Sequence, residues 1–138
     1  MRQFLVVAGL CVVQAGSALA AEAPALSEAD RAAVKLGIRR DFLTAVSGAC
    51  GRKFPEHASN YDNAVQVWRN TNAAKLQQAD TLMVSRTSRA DADAMGPLLE
   101  EEKRTLQDWQ TNKLGISQQK APSIADCDKL TGSLATLP

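Results

Sequence analysis

Two cysteines, Cys50 and Cys127, stand far apart in a chain that opens like an exported protein, and their pairing limits the fold more than any other feature. The opening carries the export argument. Met1-Arg2-Gln3 is short and positively charged, Phe4 to Val13 is an unbroken apolar run, and Ala18-Leu19-Ala20 supplies small residues two apart. That is the pattern of a secretory signal peptide, and its apolar run is well short of the ~20 residues that cross a bilayer. Cleavage after Ala20 is expected, giving residues 1–20 as leader and residues 21–138 as one helical domain with an ordered core over about 27–134. A third cysteine, Cys11, lies inside the apolar run. A lipoprotein reading fails there, because Leu10 is too bulky to precede a lipid-modified cysteine and the run continues past it. The expected destination is the periplasm or the outside of a bacterial cell, with no stable membrane anchor after cleavage.

In an oxidising compartment two remaining cysteines read as one disulfide. A bridge closing so long a loop is worth roughly 4–5 kcal/mol on the chain-entropy argument, as an upper guide. A redox-active role is disfavoured, because reactive pairs are usually close in sequence, as in C-x-x-C.

The rest of the chain reads as helices. Ser27-Glu28-Ala29-Asp30 resembles a capping box with Asp in place of Glu. Apolar residues then recur at Val34, Ile38, Phe42, Ala45, Val46 and Ala49, which is helical spacing. Gly48 and Gly51 predict that this first helix stops near Cys50. Phe54-Pro55 turns the chain, since proline pushes the preceding residue out of helical geometry. Ser59 or Asn60 can cap a second helix, the longest amphipathic one, with Tyr61, Val65, Trp68, Asn72, Leu76, Ala79 and Leu82 or Met83 on one stripe. Ser88-Arg89-Ala90-Asp91 is a further cap pattern, but Gly96-Pro97 is the expected start of the third helix, because proline suits a first turn. That helix carries Leu98, Leu99, Glu102, Leu106, Trp109 and Leu114, and Gly115 with Ile116 is the expected end. Ser123 to Asp126 caps a short fourth helix with Ile124, Cys127, Leu130 and Leu134 facing in, and the tail from Ala135 is expected to fray. Strand-like alternation is absent.

These elements predict an all-α fold: an up-down antiparallel bundle of three main helices plus a short C-terminal helix, tied by Cys50–Cys127. Folding the third helix back on the second places Met83 near Met95, Ala79 near Leu99, Leu76 near Glu102, and Trp68 beside Trp109.

Sixteen basic side chains face fifteen acidic ones, and such balance argues against a nucleic-acid partner or a polybasic membrane anchor. The lone histidine, His57, has no converging ligands for a metal. No C-x-x-C-H motif predicts covalent haem, and Met83 and Met95 lie at the wrong end of the bundle to share a haem with His57. No G-x-S-x-G elbow appears. Glu56, His57 and Ser59 form only an unspecific cluster. Asn72 and Glu102 break apolar stripes: Asn72 reads as a hydrogen-bonding residue that sets register, and Glu102 as a carboxylate snorkelling at the stripe's edge, the rivals being a polar cleft and a buried acid. Arg39, Arg40, Arg52 and Lys53 gather towards one end and are the candidate interaction residues. No cofactor and no catalytic set is expected. The chain reads as a noncatalytic protein-binding module, such as an inhibitor or immunity-type protein, for an envelope or secreted partner. The alternative is a small-ligand carrier or small enzyme with a polar cleft between helices.

Overall fold

The computed structural model describes residues 25–138. The expected leader lies outside the described residues. Five α-helices follow, with no strand among the described residues: α1 (Glu28–Lys53), α2 (Ala58–Thr71), α3 (Ala73–Ser85), α4 (Arg89–Asp108) and α5 (Ile124–Gly132). The all-α bundle and its Cys50–Cys127 bridge are as the sequence predicts, with a Cα–Cα distance of 5.9 Å.

Local chemistry sets the helix ends. Ser27 accepts from the Asp30 amide at 3.1 Å and starts α1. Acidic Glu28 and Asp30 fall in its first turn and basic Arg52 and Lys53 in its last, matching the helix dipole. Neither Gly48 nor Gly51 stops it. Gly51 instead serves the turn: a Cβ there would stand 3.2 Å from the Ala58 Cβ, so α2 enters closely because Gly51 has no side chain. The predicted second helix is two helices. The Asn72 side-chain amide donates to the Trp68 carbonyl at 2.8 Å, competing with the backbone ladder, and the chain breaks between α2 and α3 at that residue.

The third expected helix begins earlier than Gly96-Pro97. Ser88 and Asp91 close a full capping box, and Pro97 sits inside α4. Pro97 and Asp93 are both exposed, so water can satisfy the carbonyl that proline leaves unbonded. Helix α4 ends in a five-residue π turn, Trp109–Lys113, in which the Leu114 amide donates to the Trp109 carbonyl at 3.0 Å. Gly115 takes φ +66°, which a glycine adopts without strain, and buried Ile116 supplies the expected apolar contact. Ser123 and Asp126 repeat the capping box at α5. The tail does not fray: Leu134–Thr136 forms a 3-10 turn, the Trp109 indole donates to Thr136 Oγ1 at 3.2 Å, and Leu137 packs on the core.

Helix α1 is the hub. Ser47 donates to Asp62 at 2.8 Å where α2 runs antiparallel to it. Helix α3 crosses α1 at Gly37, where an added Cβ would lie 3.3 Å from that of Ala79. Helix α4 runs parallel to α1, joined by Lys35–Glu101 at 2.6 Å and Arg39–Glu102 at 2.5 Å. Helices α3 and α4 barely touch each other. The expected pairings between them are therefore corrected: Ala79 packs on Gly37, Glu102 pairs with Arg39, and Met83 is exposed. The main core joins Leu43, Val65, Trp109, Leu114, Ile116, Leu130 and Leu134, and Trp68 packs against the same cluster. Tyr61 packs with the bridge in a second cluster.

Candidate functional site

The buried seam of α1 is not its most apolar stripe. Its buried residues are Ala33, Val34, Gly37, Leu43, Ser47 and Cys50. The strongly apolar series Ile38, Phe42, Ala45, Val46 and Ala49 is only half-buried or exposed. Small residues explain the choice. Gly37 and Ser47 let α3 and α2 approach closely, and that approach turns the Ile38–Ala49 stripe outward.

Because α3 and α4 flank α1 without closing over it, troughs open on both sides of this stripe. The α4 side holds a cavity of 390 Å³ floored by Ile38, Phe42, Leu99 and Leu106, with Asp41 and Lys103 at its rim. A second cavity of 310 Å³, which shares Gln110 and Gln118 with the first, is lined by Ala45, Val46, Ala49, Ile116 and Leu130, with the Cys50–Cys127 bridge in its wall. The π turn places Gln110 in the lining of both cavities and Trp109 in the core; such turns are frequent at functional sites. The far wall is pinned by Lys53, whose ammonium donates to the Pro122 carbonyl at 2.7 Å. On the α3 side a third cavity of 370 Å³ is lined by Val34, Ile38, Asp80, Met83 and Val84. Ile38 and Asp41 line both sides and form the ridge between them. Leu99, Met83 and Val84 are 38%, 55% and 80% exposed, so the apolar surface continues outward.

The sequence-predicted residues fall elsewhere. The four basic residues do not form one patch. Arg39 and Arg52 are separated by about 20 Å of helix. Arg39 is engaged by Glu102, and Arg40 by Asp80 at 2.6 Å and Asp41 at 3.0 Å. The Asp80 hydrogen bond, chiefly, raises the Arg40 guanidinium above its usual value. Lys53 lies over the Phe54 ring, 5.3 Å from its centroid. Arg52 and Lys53 are both exposed, and no ion pair engages either among the described residues. Glu102 does not snorkel. It is 1% exposed, held in the α1–α4 interface by Arg39. Asn72 serves the helix break. His57 stacks on Tyr61, with ring centroids 6.0 Å apart. The Tyr61 hydroxyl is buried without a hydrogen bond of normal geometry. Burial first, then the nearby Asp128 carboxylate, holds that phenol above its ordinary range. Among the described residues no group of three or more His, Cys, Asp or Glu side chains is placed to hold a metal, and no helix is long and apolar enough to cross a membrane.

Ile38, Phe42 and Leu99 were legible only as core positions. The signal that could have exposed them is the width of the apolar arc on α1, from Leu43 and Val46 round to Ile38, which is more than its neighbours cover. The chain matches no family model, no curated protein and no solved structure at a significant level.

Proposed function

We propose that this protein is a noncatalytic binding module of the cell envelope, exported by the leader over residues 1–20 and working in the periplasm or outside. Its α1 face receives an apolar-sided helix of a protein partner. One observation carries the reading: the apolar stripe from Ile38 to Ala49 on the hub helix is nowhere fully buried and opens into troughs on both sides. A helix laid on such a ridge presents anchors at i, i+3, i+4 and i+7. An inhibitor or immunity-type protein is the specific form that fits, since such a protein works by occupying a partner through a rigid face. The bridge supports the exported setting, because disulfides persist in oxidising compartments.

The test is capture from envelope extracts of the host, using surface variants Ala45→Glu and Leu99→Lys beside Asn63→Lys on α2. The reading expects one partner retained by the wild type and Asn63→Lys and lost from the other two. Equal capture by all four would refute it. Retention of a small molecule in the troughs with no protein captured would favour a ligand carrier.

A further inference from the structure

The exposed face of α1 carries a seam that is complementary to itself. Ile38, Asp41, Ala45, Gly48 and Arg52 follow one another at alternating steps of three and four residues, the spacing of a two-helix packing seam. Asp41, Ala45 and Arg52 are exposed, and Ile38 and Gly48 are half-buried. The Asp41 side chain is 72% exposed and accepts from Arg40 Nε of its own helix at 3.0 Å. The Arg52 guanidinium folds back along this same face: a Cβ on Gly48 would stand 3.3 Å from its Nη1. No ion pair engages Arg52 among the described residues, so a charge of each sign stands at opposite ends of one open seam.

We propose that the occupant of this face is a second copy of the chain, forming a two-fold symmetric dimer through antiparallel α1 helices. The inference rests on reading the α1 face as a binding surface and names its partner. A two-fold axis midway between Ala45 and Gly48 places Asp41 of each copy opposite Arg52 of the other. The Asp41 and Arg52 backbone positions lie about 16 Å apart along the helix, and an Arg52 side chain swung off Gly48 reaches the partner's Asp41, so both pairs form at once and Gly48 is left open. A two-fold interface requires this kind of self-matching patch. The small side chains at Ala45 and Gly48 allow the near end of the usual 8–10 Å separation between helix axes. No other helix chemistry is needed, because α1 supplies both halves of the charge pattern. A single helix pair falls short of the ~1,200 Å² that a stable interface buries, so the flanking Leu99, Met83 and Val84 are covered as well.

The experiment is sedimentation equilibrium on the exported protein, purified with its bridge intact, over about a hundredfold range of concentration around a micromolar dissociation constant. A concentration-dependent dimer is expected. Asp41→Arg and Arg52→Asp each place like charges face to face twice and should weaken it roughly tenfold to a hundredfold. Combining them restores opposite signs and should return most of the affinity. Circular dichroism checks that each variant folds, and Ala45→Glu, which places a charge at the centre of the seam, serves if either charge variant does not. A monomer at every concentration overturns the proposal, as does a dimer indifferent to these substitutions or a double variant weaker than both singles. A monomer that still captures a partner through Ala45 and Leu99 would overturn the dimer and leave the binding-module reading standing. A dimer with no captured partner would do the reverse.

Discussion

Replacing Arg39 with methionine should cost far more than replacing its partner Glu102. The Glu102 side chain is 1% exposed and that of Arg39 is 21% exposed, and they meet at 2.5 Å between α1 and α4. Removing the guanidinium leaves a carboxylate in the interface with its charge uncompensated, a change that costs about 3–5 kcal/mol in comparable buried pairs. Because one edge of Arg39 reaches solvent, water can follow into the gap, and the low end, about 3 kcal/mol, is the working figure. With a urea dependence of about 1–3 kcal/mol per molar, that moves the unfolding midpoint down by about 1–3 M. Glu102→Leu leaves Arg39 able to turn towards water and should cost about 1 kcal/mol. The pair Arg39→Met with Glu102→Leu fills the interface with apolar volume and should recover most of the loss, giving a coupling above about 1 kcal/mol. The assay is urea unfolding of all four proteins with the bridge intact, followed by circular dichroism. A cost below about 0.5 kcal/mol for Arg39→Met, or strict additivity in the double variant, would refute the claim that this carboxylate depends on its partner.

Three further outcomes follow from the same structure. Replacing both bridge cysteines with alanine reopens a loop spanning 77 positions, and the chain-entropy argument puts the loss at roughly 4–5 kcal/mol; an unchanged midpoint in urea would show that the bridge adds nothing. Gly37→Leu drives a side chain into Ala79 at the α1–α3 crossing, where a Cβ alone would stand at 3.3 Å, and should destabilise by about 1–3 kcal/mol, while Gly132→Ala, with open space around it, should not. Hydrogen bonds from Ser27, Ser88 and Ser123 hold the carboxyls of Asp30, Asp91 and Asp126 below their ordinary values. Folded values below unfolded ones give stability that is full above the unfolded value near 3.9 and is lost as pH falls through the folded values. Ser88→Ala and Ser123→Ala each remove an N-cap, a loss of about 1 kcal/mol, and should also flatten the acid limb of the stability curve, which unfolding midpoints at a series of pH values would read.

Much of the fold could be read before any coordinates. The bridge, the serine caps at Ser27, Ser88 and Ser123, and the Leu114-Gly115-Ile116 ending all stand where local chemistry predicts them. The caps and the helix ending each depend on a few neighbouring residues, and the bridge follows from there being only two cysteines after the expected leader. The misreadings share a different cause. Gly37 and Ser47 belong to the buried seam of α1 beside Val34 and Leu43, yet neither is apolar enough to mark it; they are buried because their smallness admits another helix. Asn72 reads as one more residue on a helical stripe until its amide bonds the Trp68 carbonyl and ends α2. Pro97 stays inside α4 because that side of the helix faces water. The candidate site was hidden by the same inversion. Ile38 and Phe42 look like core in a linear reading, and only the way α3 and α4 straddle α1 shows that they stay half-buried at the edge of a trough.

In the proposed reading, the open face of α1 is where this protein meets others. The direct measurement is photo-crosslinking in living host cells from single reactive residues placed at Ala45 and Leu99, with Asn63 and Lys75 as exposed positions on α2 and α3. Adducts confined to Ala45 and Leu99, identified by mass as a second copy or as another protein, are the predicted result. Adducts that form equally from Asn63 and Lys75, or that form only there, would contradict it.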